Sequence, residues 1–71
     1  MKKEMQFFIY LLEHYAHYKR TTATEILHTW DRLALTDFIY DMYEMYHSER
    51  LENAFEDIDN LVAKKDQNVS K

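Results

Sequence analysis

At 71 residues the chain has room for one domain. Lacking cysteine, it has no disulfide, no thiolate zinc site and no Cys nucleophile. Lacking glycine and proline, it has neither phosphate-cradling loops nor glycine-based hairpin turns, and its formal net charge of −4 disfavours nucleic acid and anionic membrane as partners. What remains is an all-α reading: a compact bundle of about four short helices joined by polar turns. A core this small supplies only roughly 3–5 kcal/mol, so close helix packing or self-association is expected to add to it.

The first helix is expected over residues 3–19. Met5, Phe8, Ile9, Leu12, Tyr15 and Ala16 repeat at three- and four-residue steps. A second set, Phe7, Leu11, His14 and Tyr18, widens that face and predicts a central helix with more than one neighbour. Lys2 and Lys3 ahead of six apolar residues resemble a signal peptide only faintly. Glu13 and His14 end the run, which is far too short to span a bilayer. The chain therefore reads as cytoplasmic.

Arg20-Thr21-Thr22 breaks the pattern, and Thr22 with Glu25 forms a capping box for a second helix ending near Leu33. Ala23, Ile26, Leu27 and Trp30 share its apolar face. Thr36 is expected to cap a third helix, with Asp37 favoured in its first turn and Phe38, Ile39, Met42, Tyr43 and Tyr46 facing inward. Ser48 is expected to cap a fourth, carrying Leu51, Ala54, Phe55, Ile58, Leu61 and Val62. Its opposite face is Glu52, Glu56, Asp57 and Asp59, and it is expected to end near Lys64, making 1–65 the domain and 66–71 a disordered tail.

Chemistry-bearing constellations are sparse. His14 and His17 share a helix face, but no further ligands accompany them, so no metal site or cofactor is expected. Asp37/Asp41 and Glu52/Glu56 are spaced like paired carboxylates, yet nothing in the pattern builds the cleft that acid–base catalysis needs. Ser48 and Ser70 have no oriented histidine. A non-enzyme is expected.

Charge and aromatics point to binding instead. Residues 36–60 hold eight acidic side chains against Arg50 alone, which suits a basic protein partner. Six tyrosines, four phenylalanines and one tryptophan exceed what so small a core needs, so part of this set is expected to form a protein-binding or homodimer surface. Tyr10, Tyr40 and Tyr43 are the expected anchors, and Glu52, Glu56 and Asp59 the steering carboxylates. The alternative is a DNA-binding regulator of helix-turn-helix type, with the third helix as reader. Asp37, Asp41 and Glu44 on that helix oppose it, and it would need a separate basic patch at Lys19, Arg20 and Arg32.

Three stretches also carry a resemblance: Phe8-Ile9 with Glu13-His14-Tyr15-Ala16, then Tyr46-His47, then Asp57-Ile58-Asp59. Across roughly residues 5–62 the chain resembles a family of small helical bacterial domains of unknown function, mostly Gram-positive. Such domains are often encoded beside proteins resembling ADP-ribosyltransferase toxins. The resemblance implies an antitoxin- or adaptor-like module with a neighbour-encoded partner. It implies no catalytic or binding residues.

Overall fold

The computed structural model describes residues 1–69. Its elements are α1 (Lys3–Tyr18), α2 (Ala23–Arg32), α3 (Thr36–Asp41), α4 (Tyr43–His47) and α5 (Leu51–Val69). Every regular element among the described residues is a helix, as the periodicity requires. None of these helices is long and apolar enough to cross a membrane.

The core forms around Trp30, which is fully buried. The rings of Phe8 and Tyr15, both from α1, lie 5.8 Å and 5.7 Å from the indole. Leu11, Leu35, Ile39, Tyr46, Ala54 and Ile58 complete a core to which all five helices contribute. Central placement of α1 follows, since its buried side chains meet α2, α3 and α4 together. Among the described residues the indole Nε1–H finds no hydrogen-bond partner. Burying a donor this way costs about 1–3 kcal/mol, which the packing around the large ring must offset.

Two helix ends explain how a chain without glycine turns so tightly. After α1, Arg20 takes φ 59°; its N–H reaches the His17 carbonyl at 3.0 Å and the Thr21 N–H reaches Ala16 at 2.9 Å. After α2, Ala34 takes φ 58°, with Ala34 N–H on Asp31 at 3.1 Å and Leu35 N–H on Trp30 at 2.7 Å. Both are Schellman motifs, in which the left-handed residue lets its own N–H and that of the following residue satisfy the helix's last carbonyls. The second motif also buries Leu35 beside Trp30, the apolar contact that usually accompanies it. Thr22 caps α2 as expected, its Oγ1 accepting from the Glu25 N–H at 3.2 Å.

Several local expectations are corrected. Thr36 does not cap α3; Leu35 holds the N-cap position and the Thr36 hydroxyl donates to Asp31. The third helix is not continuous, because Met42 (ψ 13°) interrupts it and divides it into α3 and α4. Ser48 ends α4 rather than starting α5. Its Oγ donates to the Glu44 and Met45 carbonyls at 3.0 Å each, the back-bonding a short hydroxyl side chain offers a helix end. The last helix continues past Lys64 to Val69, so Lys64 and Lys65 do not lie in its last turn, and of the expected tail Ser70 and Lys71 fall outside the described residues. Met5, Ile9 and Phe38, assigned inward by periodicity, are 39%, 39% and 46% exposed.

A left-handed non-glycine residue costs about 1–2 kcal/mol, against about 0.4–1 kcal/mol of extra unfolded-chain entropy for glycine. Ala34→Gly should therefore stabilise the fold by roughly 0.5–1 kcal/mol and raise Tm by about 2–8 °C. Thermal unfolding followed by circular dichroism checks this; a lower Tm would sink the account of the turn.

Candidate functional site

Helix α5 is held by two carboxylates on either side of a core residue. Ile58 is fully buried, and its neighbours Asp57 and Asp59 emerge on opposite flanks of the helix. Asp59 accepts from the Tyr15 hydroxyl at 2.5 Å and the Tyr18 hydroxyl at 3.1 Å, and the Lys19 ammonium sits 3.2 Å away. Asp57 accepts from the Tyr46 hydroxyl at 2.5 Å. One flank is thereby tied to α1 and the other to α4. Phe55 adds ring contacts to Tyr15 at 5.6 Å and, stacked, to Tyr18 at 4.8 Å.

The titration of these groups reflects the same contacts. Burial pushes the Asp59 carboxyl up, but hydrogen bonds from Tyr15, Lys19 and Tyr18 outweigh it and leave the group below its ordinary value. Burial, then the bond to Asp59, raises the Tyr15 hydroxyl well above the usual tyrosine range. Tyr46 is raised in the same way, by burial and then by Asp57. The exposed Tyr18 is raised mainly by its hydrogen bond to Asp59.

This clamp changes the reading of the acidic face. Asp59, expected to steer a partner, is half-buried and engaged within the chain. Asp57 also serves the fold. Glu52 and Glu56 are exposed, as a steering role needs, and Glu52 lies 3.7 Å from Arg50 at the surface.

The aromatic anchors also divide. Tyr40 is half-buried, its ring 5.7 Å from Phe8, and belongs to the packing. Tyr10 is 50% exposed and lies 4.2 Å from the His14 ring. Tyr43 is half-buried and stacks on His47 at 4.2 Å, nearly parallel. Phe7 joins the two pairs, with ring centroids 6.3 Å from Tyr10, 5.7 Å from Tyr43 and 6.2 Å from His47. The result is a continuous aromatic and imidazole strip over α1 and α4. His47 Nδ1 lies 2.7 Å from the Tyr43 carbonyl. A carbonyl only accepts, so Nδ1 carries the proton and the ring is fixed at the edge of the strip.

Sequence reasoning singled out Tyr10 and Tyr43 but missed Phe7 and His47 as their partners. The spacing Tyr43–His47 was the available signal, since residues four apart share a helix face. His14 joins the strip through Tyr10. Among the described residues, no group of three or more His, Asp or Glu side chains gathers where it could hold a metal ion.

A family model described as a protein of unknown function (DUF3791) matches residues 6–65. The chain belongs to this family. No curated protein and no solved structure matches it. The DUF3791 match starts at Gln6 within α1, takes in α2 to α4 and continues along α5 to Lys65, so it covers both the clamp and the strip.

Asp59 contributes stability that is complete above the unfolded aspartate value of about pH 4 and is lost as pH falls through its lower folded value. Tyr15 and Tyr46 contribute stability that is complete below about pH 10 and is lost as pH rises beyond it. Asp59→Asn should cost about 1–3 kcal/mol at pH 7 and flatten the acid side of the stability profile. Tyr15→Phe with Tyr46→Phe should flatten the alkaline side. Urea unfolding read from the single tryptophan across pH tests both, and an unchanged acid limb in Asp59→Asn would refute the clamp.

Proposed function

We propose that this DUF3791 domain is a non-enzymatic protein-interaction module that binds a basic partner through its exposed aromatic strip. The observation that carries the reading is the strip itself. Tyr10, His14, Phe7, Tyr43 and His47 form a connected ring surface in which Tyr10 is half exposed and takes no part in the buried core. Aromatic side chains of this kind supply most of the energy at protein interfaces. The exposed carboxylates Glu52 and Glu56 speed encounter with a basic surface and weaken with salt.

The resemblance noted from the sequence supports an antitoxin- or adaptor-like role, with the partner encoded nearby in a bacterial cytoplasm. Self-association through the same strip is the competing occupant. For the DNA-binding alternative, the basic patch is largely committed elsewhere: Lys19 pairs with Asp59 at 3.2 Å and Arg32 with Asp66 at 3.4 Å. The reading helix would be α3, six residues long and carrying Asp37 and Asp41.

Affinity capture from the source cells, with the mass of the eluate measured by light scattering, should yield a stoichiometric complex with a basic protein. Tyr10→Ala should weaken that complex by about tenfold or more, the loss of an interface anchor. Glu52→Gln with Glu56→Gln should slow association and flatten its salt dependence while dissociation changes little. A bare homodimer, or a monomer that captures nothing, would overturn the reading.

A further inference from the structure

The turn between α2 and α3 meets the far part of α5 across an apolar groove of about 310 Å³. Ala34, Leu35 and Phe38 form one wall. Leu61 and Lys65, four residues apart and so on one face of α5, form the other. Leu35 is buried, Leu61 is half-buried, and Phe38 stands exposed. Arg32 and Asp66 pair at 3.4 Å, joining the end of α2 to α5 one residue past Lys65, so the walls are linked at the surface. None of the rings of the aromatic strip lines this groove.

The two walls differ in charge. Lys65 stands on the α5 wall. Ala34, on the other wall, also borders a second depression of about 220 Å³, which Asp31, Thr36 and Asp37 complete. The Asp31 carboxylate accepts from the Thr36 hydroxyl. Asp37, exposed and next to Phe38 in the chain, is the carboxylate this wall offers outward. An apolar centre is thus bordered by an anion on one side and a cation on the other.

We propose that this groove is the interface of a reversible homodimer, in which Phe38 of each copy covers the groove of the other and each Lys65 pairs with Asp37 of the partner subunit. The proposal goes beyond the interaction-module reading and leaves the strip uncovered. Charge complementarity selects a second copy as the occupant. A two-fold axis running along the groove sets the α5 wall of each copy against the α2–α3 wall of the other, so cation and anion meet twice. An unrelated partner would have to carry the mirrored pair of charges, whereas a second copy supplies it by symmetry. The gain is the covering of Phe38 and Leu61, apolar groups that so small a core leaves at the surface. The patch is small beside the roughly 20–30 residues a side of a standard interface, so the dimer is weak and forms as concentration rises.

The test is the mass of the full chain by sedimentation equilibrium from micromolar to millimolar concentration, which should climb from monomer toward dimer. Phe38→Ser should weaken the dimer about tenfold or more and leave the helical circular dichroism unchanged, because the ring is exposed. Lys65→Glu and Asp37→Lys should each weaken it alone. Mixed in equal amounts, these two variants should form a heterodimer about as tight as the original, since one cross-pair is then native and the other has its signs exchanged. A monomer at every concentration, a dimer indifferent to Phe38→Ser, or a mixture no tighter than the separate variants would overturn the proposal. Tyr10→Ala should leave the dimer intact, and loss of the dimer in that variant would move the interface to the strip and overturn the groove. Affinity capture is a separate readout. Phe38→Ser should still recover a partner anchored by Tyr10, so failure of either reading leaves the other to stand on its own test.

Discussion

The fold depends on one arrangement: two carboxylates bracketing a buried isoleucine. Helix α5 supplies Ala54, Phe55 and Ile58 to the core, but an apolar stripe alone sets neither its rotation nor its register. The Tyr46–Asp57 and Tyr15–Asp59 hydrogen bonds do, because each fixes one flank of the helix to a different neighbour. Both donors are core side chains whose hydroxyls would otherwise be buried without a partner. A tyrosine can be almost wholly buried only where its hydroxyl finds an acceptor, and a carboxylate accepts most strongly. The rings of Tyr15 and Tyr46 thus fill the core while their polar ends lock the last helix.

With α5 fixed, the surface follows. Asp59 is half-buried and Asp57, though exposed, is engaged by Tyr46, so Glu49, Glu52 and Glu56 are the exposed carboxylates in the first half of α5 and its leading turn that no tyrosine holds. The Tyr46 bond orients α4, and that orientation turns Tyr43 and His47 toward Phe7 and Met45 away from the core. Side chains of the same type are thereby divided between the clamp and the surface. Three tyrosine hydroxyls serve the clamp, and the remaining tyrosines pack or line the surface.

The DUF3791 match extends over the helices that build both features. The motifs that prompted the family resemblance also gain a physical meaning. Tyr15, Tyr46, Asp57 and Asp59, all within those motifs, are the four residues that close the clamp. They are packing determinants, which explains why they announce the fold without naming a partner.

The all-α class, α1, α2 and α5, the N-cap at Thr22 and the apolar stripe of α5 could all be read from the chain, because helix periodicity and capping depend on residues within a turn or two of one another. Of the six proposed contact residues, Asp59 takes part in the clamp and Tyr40 packs against Phe8. Tyr10, Glu52 and Glu56 stand exposed and Tyr43 half exposed. The interruption at Met42 has no local signature, since neither glycine nor proline marks it. Nor did the sequence distinguish Asp59 from Glu56: both lie off the apolar stripe, and only a tyrosine 44 positions away turns one of them inward. The existence of α1, α2 and α5 and the cap at Thr22 are local and were determined by the sequence alone; the break at Met42 and the ends at Thr36 and Ser48 were not. Which carboxylates and tyrosines remain at the surface depends on partners distant in the chain, and only the tertiary structure decided it.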